Sequence, residues 1–119
     1  MTTVTRTEID FLGPMEVPAD AYWGVQTARA IENFPITGQK ISNMPNLIRA
    51  LAQIKKAAAS VNSELGAISD AHARAIVQAC DEIVAGQFHD QFVVDVIQGG
   101  AGTSTNMNAN EVIANRGLE

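Results

Sequence analysis

Between Pro45 and Gly66 the apolar residues Leu47, Leu51, Ile54, Ala58, Val61 and Leu65 recur at intervals of 4, 3, 4, 3 and 4. Only a helix of about 3.6 residues per turn sets such a series on one face. The spacing therefore predicts a helix that buries this face in a bundle. Pro45 suits its first position, where a missing N–H costs nothing, and Asn43 stands near the cap. Gly66 supplies the stop. Ser69-Asp70 then starts an antiparallel partner with a core stripe at Ala73, Ile76, Cys80 and Ile83, closed by Gly86.

On either side the pattern is less regular. Residues 1–27 contain Gly13-Pro14 and Val17-Pro18, which interrupt any helix. Phe11, Leu12, Met15, Val17, Tyr22, Trp23 and Val25 make the stretch too apolar for a free tail, so an arm with one short hairpin, packed on a helical body, is expected. A short helix is expected over 26–33, ending near Asn33-Phe34-Pro35. Residues 88–97 are ambiguous between a helix and a buried strand, because Phe92-Val93-Val94-Asp95-Val96-Ile97 is short and β-branched. A glycine-rich loop over 98–104 leads into a final helix from about Thr105. That helix shows no convincing stop. Val112, Ile113 and Leu118 need partners, and the chain reads as cut. The fold class predicted is mainly α, a single helical domain over 1–119 with a short extended or hairpin arm.

Composition narrows the function. The net charge is −5 and the only adjacent basic pair is Lys55-Lys56, so no basic stripe could follow a nucleic-acid backbone. Cys80 is the single cysteine, which rules out a disulfide framework or a thiolate metal cluster, and a small apolar core role suits it. Residues 1–6 lack the apolar core of a signal peptide, and no apolar run approaches the roughly 20 residues that span a bilayer. A soluble cytoplasmic protein is the plain expectation, with no membrane and no nucleic-acid partner.

The chemistry is concentrated in Gln98-Gly99-Gly100-Ala101-Gly102-Thr103-Ser104-Thr105-Asn106-Met107-Asn108-Ala109-Asn110-Glu111. Its glycines permit positive φ and close approach of a ligand to the backbone. The hydroxyls of Thr103, Ser104 and Thr105 follow at a helix N-terminus, where free N–H groups and the helix dipole favour an anion. A carboxylate or a phosphate would suit. A dinucleotide fingerprint is a poor fit, since the third glycine and the βαβ context are missing, and a P-loop would need a lysine that is absent. A plain turn whose hydroxyls only cap the helix stays open. Beyond the turn, Asn108, Glu111 and Asn115 recur at i, i+3 and i+7, with Asn106 and Asn110 alongside. Asparagine is a poor helix former, so the stripe is either a solvated face or a hydrogen-bonded network lining a polar pocket, the reading preferred here.

The run from Gly99 to Arg116, together with Glu8-Ile9-Asp10-Phe11-Leu12-Gly13, Val17-Pro18-Ala19-Asp20-Ala21-Tyr22-Trp23-Gly24-Val25-Gln26-Thr27 and Arg29-Ala30-Ile31-Glu32-Asn33-Phe34, resembles the aspartase/class II fumarase family over essentially the whole chain. Gly-Gly-Ala-Gly-Thr-Ser, Tyr22 and the run 30–34 are similar to the aspartase branch. Trp23-Gly24-Val25-Gln26-Thr27 and the run 81–86 are closer to the fumarase branch. The resemblance implies the N-terminal domain of a mainly helical enzyme whose long central helical bundle and C-terminal domain lie outside this chain. It also implies a homotetramer in which each active site draws on three subunits. The expected reaction is ammonia elimination from aspartate, with fumarate hydration as the alternative and a small, non-catalytic anion-binding module as a second alternative.

By the same resemblance, Thr103 would contact a substrate carboxylate, with Gly102 and Ser104 shaping the pocket and Asn108 and Glu111 supporting it. Arg29 matches a family arginine near the site, yet an ordinary surface ion pair would explain it equally well. The family's base is a serine on a mobile loop within Gly-Ser-Ser-x-Met-Pro-x-Lys-x-Asn. Neither that motif nor the family's Thr-His region occurs here, so no catalytic residue is assigned to this segment and the segment alone is expected to be inactive. No cofactor is implied. His72 is expected to face solvent and His89 to cap or sit at the surface, and nothing stands at metal-ligand spacing from either.

Overall fold

Small side chains bring the two long helices together. In the computed structural model, which describes residues 4–119, these are α2 (Pro45–Glu64) and α3 (Asp70–Val84), joined by a short turn in which Gly66 adopts φ +75°. Most residues buried on the two helices are small: Ala52 and Ala59 on α2, and Ala73, Ala79 and Cys80 on α3, beside the larger Ile48 and Ile83. Ser69 caps α3 by accepting a hydrogen bond from the His72 N–H at 3.1 Å, as its position before Asp70 predicts. The expected α3 core stripe is found, with Ala73, Cys80 and Ile83 buried and Ile76 half-buried.

The α2 stripe is a correction. Ile48, Ala52 and Ala59 are the buried residues of α2, whereas Leu47, Ile54, Val61 and Leu65 are 38–76% exposed and Leu51 is half-buried. At about 100° per residue, the buried set lies roughly 120° around the helix from the predicted stripe. Alanines carry little weight in a periodicity argument, yet they permit the tightest helix contact. The larger residues therefore face outward, and Asn43 belongs to a single 3₁₀ turn (Ile41–Asn43) before the helix rather than to its cap.

The remaining elements surround this pair. A hairpin of β1 (Thr5–Asp10) and β2 (Gly13–Pro18), paired from Thr5–Pro18 to Asp10–Gly13, precedes α1 (Val25–Asn33), and α4 (Thr103–Gly117) ends the order. The expected signal-free start falls partly on residues 1–3, outside the described residues. Arg6 fastens the hairpin by donating from Nη1 to the Pro18 and Ala21 carbonyls at 2.9 and 2.7 Å, and from Nη2 to the Trp23 carbonyl at 2.8 Å. Val17 is buried, while Phe11 and Leu12 at the hairpin tip are exposed, so only part of the arm's apolar content reaches the body.

The ambiguous segment 88–97 is neither a helix nor a regular strand. After one 3₁₀ turn (His89–Gln91) it is irregular, with one isolated bridge between Asp95 and Lys40 and with Phe92 and Val94 buried, their carbonyls accepting from Ser42 and Ile41 N–H at 2.9 and 3.0 Å. α4 starts at Thr103, two positions before the expected Thr105, and Val112 and Ile113 find burial in the core while Leu118 stays exposed. The mainly-α class with a hairpin arm holds. No helix among the described residues is long and apolar enough to cross a membrane.

The two faces of α2 can be told apart by substitution. In urea unfolding of this chain, Ile48→Ala is expected to cost about 2–5 kcal/mol, because it opens a cavity in the core. Ile54→Ser is expected to change stability by less than about 0.5 kcal/mol. Equal costs would show that the outward face is packed after all.

Candidate functional site

The glycine turn folds as its composition suggests. Gly100 and Gly102 occupy the left-handed region at φ +72° and +79°, and a side chain at Gly99 would start 3.1 Å from the Phe34 ring. Gly102 is the N-cap of α4 and contributes no side-chain bond. Of the first backbone N–H groups of the helix, Thr105 donates to Gln98 Oε1 at 2.8 Å and Asn106 donates to the Gly102 carbonyl at 3.1 Å. Those of Thr103 and Ser104 have no acceptor among the described residues, and neither hydroxyl is engaged. Thr103 is exposed and Ser104 half-buried, so two amides and two hydroxyls stand together at the positive end of a helix dipole, open to solvent.

Gln98 also donates from Nε2 to the Asp95 carbonyl at 2.9 Å, which ties the turn to a buried carboxylate. Asp95 accepts from the Ile97, Thr37 and Gly38 N–H groups at 2.8, 2.8 and 2.9 Å, and from Thr37 Oγ1 at 2.9 Å. These donors, the Ile97 amide foremost, hold its carboxyl down at about 2 against an ordinary value of 3.8. The sequence assigns no role to Asp95, and none to Gln98 although it heads the glycine-rich stretch. The available signal was Asp95 itself, one charge inside the apolar run 92–97, which can be buried only with partners.

The polar stripe of α4 is a hydrogen-bonded network, though its amides reach backbone rather than line a polar pocket. Asn108 is fully buried, accepting from Val93 N–H at 3.0 Å and donating to the Gln91 carbonyl at 3.0 Å. Glu111 accepts from the Gln26 and Thr27 N–H groups at 2.9 and 2.8 Å and from Thr27 Oγ1 at 2.6 Å, so it caps α1 in place of a side-chain N-cap. Asn115 donates to the Tyr22 carbonyl at 2.6 Å, and Asn106 accepts from Lys55 Nζ at 2.7 Å. Asn108 and Glu111 thus fix the placement of α4, whose first residue is Thr103.

Arg29 forms the ion pair that was one of its two readings. Its guanidinium donates to both Asp10 oxygens at 2.9 and 2.8 Å and to the Gly13 carbonyl at 2.9 Å, which holds Asp10 below the usual carboxylate range. His72 is exposed, and His89 Nε2 donates to the Ile83 carbonyl near the end of α3 at 2.9 Å. Cys80 is fully buried, and burial pushes its thiol up to about 11, so it is a core residue and no nucleophile. No group of three or more His, Cys, Asp or Glu side chains among the described residues could hold a metal ion.

A family profile described as a lyase matches residues 13–119. The chain is 60% identical over 114 residues to an aspartate ammonia-lyase of Pseudomonas canavaninivorans, a match covering 96% of this chain and 24% of that protein. It is 62% identical over 114 residues to a class II fumarate hydratase of Halobacterium salinarum, with the same two shares. Among solved structures it is similar to a fumarate lyase:delta crystallin of Brucella melitensis in its native form, with a TM-score of 0.95 and 56% identity over 97% of this chain and 27% of that one. The chain spans about a quarter of the length of the curated relatives it matches.

Asp95 makes the scaffold of the turn acid-sensitive in a defined window. Because its folded value of about 2 lies below the ordinary 3.8, its contribution is fully present above pH 4 and is lost as pH falls from there through 2. Acid unfolding followed by circular dichroism should show this loss in the wild type, and Asp95→Asn should flatten that part of the curve. An unchanged profile would remove Asp95 from the acid response.

Proposed function

The chain belongs to the lyase family, and from that premise we propose that it is the N-terminal segment of an aspartate ammonia-lyase, which eliminates ammonia from L-aspartate to give fumarate. The observation that carries this reading is the pair of unengaged amides and hydroxyls at Thr103 and Ser104, presented by a glycine turn of the Gly-Gly-Ala-Gly-Thr-Ser form. Donors arranged in this way match one carboxylate of a small diacid, at about 1.5–3 kcal/mol for each charge-assisted bond.

The elimination requires such donors. A base removes a weakly acidic proton from the carbon beside one carboxylate, and the electron pair left behind is delocalised into that carboxylate as an aci-anion. The pair then forms the double bond as the carbon–nitrogen bond breaks in the anti sense and ammonia departs. Negative charge grows on the carboxylate before the bond breaks, so donors already aimed at it strengthen as the barrier is climbed. Thr103 is assigned to this contact, with the Ser104 amide and hydroxyl beside it and Gly102 permitting the close approach. The base lies outside this segment, consistent with a site assembled from several subunits of a homotetramer. The enzyme is proposed to work in the cytoplasm, to take a dicarboxylate and to need no organic cofactor.

Fumarate hydration is the second reading, favoured by the 62% identity to a class II fumarate hydratase. It shares the carboxylate site and differs only in the leaving group. Assaying the full-length protein with aspartate and with malate separates the two: turnover of aspartate is expected, and turnover of malate alone would assign the hydratase. In the aspartate assay, Thr103→Val should lower kcat by about 10²–10³, the usual effect of removing one such donor, with the fold unchanged. An unaltered rate would take Thr103 out of the mechanism. Titrating the 119-residue chain alone with fumarate should give no binding heat. Measurable binding would favour a self-sufficient anion-binding module.

A further inference from the structure

We infer that Gln98 is a positioning residue for the carboxylate site, an inference that rests on Thr103 and Ser104 receiving a substrate carboxylate. Its side chain spans two backbone groups of opposite character, the Asp95 carbonyl, which can only accept, and the Thr105 N–H, which can only donate. A primary amide serves both at once, and their identities settle which way round it sits.

The bridge has two effects on the turn. It links the start of α4 to Asp95, whose carboxylate is itself held by four donors from residues 37, 38 and 97, so the glycine turn is referenced to a rigid point of the scaffold. It also engages the third amide of the helix. An anion arriving at an uncapped helix start would be shared among several free N–H groups. With Thr105 engaged by Gln98 and Asn106 by Gly102, the donors left are those of Thr103 and Ser104. A neutral amide performs this selection without placing a charge against the incoming carboxylate.

Neutrality separates a positioning role from a structural one. A carboxylate at position 98 would still accept from Thr105 N–H but could not donate to the Asp95 carbonyl, and its negative charge at a helix N-terminus offsets that lost bond in the fold. The same charge opposes a substrate carboxylate docking one turn away. Gln98→Glu in the full-length protein is therefore expected to keep its Tm while the inhibition constant of succinate rises by about tenfold or more, and kcat/KM for aspartate falls accordingly. Gln98→Leu, which can make neither bond, is expected to speed hydrogen exchange over residues 99–106 and to lower kcat/KM by at least about tenfold. Succinate binding by Gln98→Glu at wild-type strength would overturn the inference, as would unchanged exchange in Gln98→Leu. If Gln98→Leu does not fold, the glutamate variant decides alone. A wild type that turns over neither aspartate nor malate would remove the lyase reading instead, and the exchange comparison would still decide whether Gln98 holds the turn.

Discussion

The structure depends on side chains of α4 that satisfy backbone groups elsewhere. Three stretches of the chain lack a complete hydrogen-bonding ladder of their own: the irregular segment after Gln91, the start of α1, and the arm around Tyr22. Asn108, Glu111 and Asn115 serve them in turn, from one face of one helix. Each would otherwise leave partly or fully buried amides or carbonyls unpaired, at about 1–3 kcal/mol per group. Helix propensity runs against this choice of residues, which places the favourable term in tertiary bonding and not in the helix itself. With α4 fixed by these contacts, and by Arg116 donating to Glu82 on α3 at 2.9 Å, the position of its first turn follows.

Much of this was visible in the residues and some was not, for identifiable reasons. Local punctuation was reliable: Pro45 at a helix start, Ser69 as a cap, and Gly66 and Gly86 as stops all act through the backbone and need no knowledge of neighbours. The α2 stripe misled because periodicity weights large side chains, whereas most residues buried on α2 and α3 are alanines and a cysteine. The segment after Gln91 could not be assigned because its stability comes from Asn108 and from the backbone of residues 39–42, all distant in sequence. At the site, the glycine turn and hydroxyls could be read directly. Asp95 left a signal as the one charge in an apolar run, whereas Gln98 left none, since a polar residue before a glycine loop carries no mark of the group it bridges.

On the proposed reading, the turn would also explain why identity alone does not separate ammonia loss from water addition. Fumarate is the product of the first chemistry and the substrate of the second, and both call for a stabilised carboxylate, so on the proposed reading the residues that would meet this carboxylate carry little information about the leaving group. The 60% and 62% identities to relatives named for the two reactions fit a segment whose task is common to both. Discrimination then falls to groups facing the amine or hydroxyl, which the proposed reading places outside this chain.

Gly24 marks a consequence of how α1 begins. A side chain there would start 2.5 Å from Glu8 Oε1 and 2.6 Å from Glu111 Oε2, because both carboxylates converge on the same helix start. One comes from 17 residues away and the other from 84–85. The helix that follows is thus capped only when both ends of the chain have arrived, in contrast to α2 and α3, neighbours in sequence that meet across a short turn. Loop closure on that scale is entropically costly before any contact offsets it. The short helix between hairpin and bundle is a joint closed by long-range contacts, completed by the same helix that the glycine turn precedes.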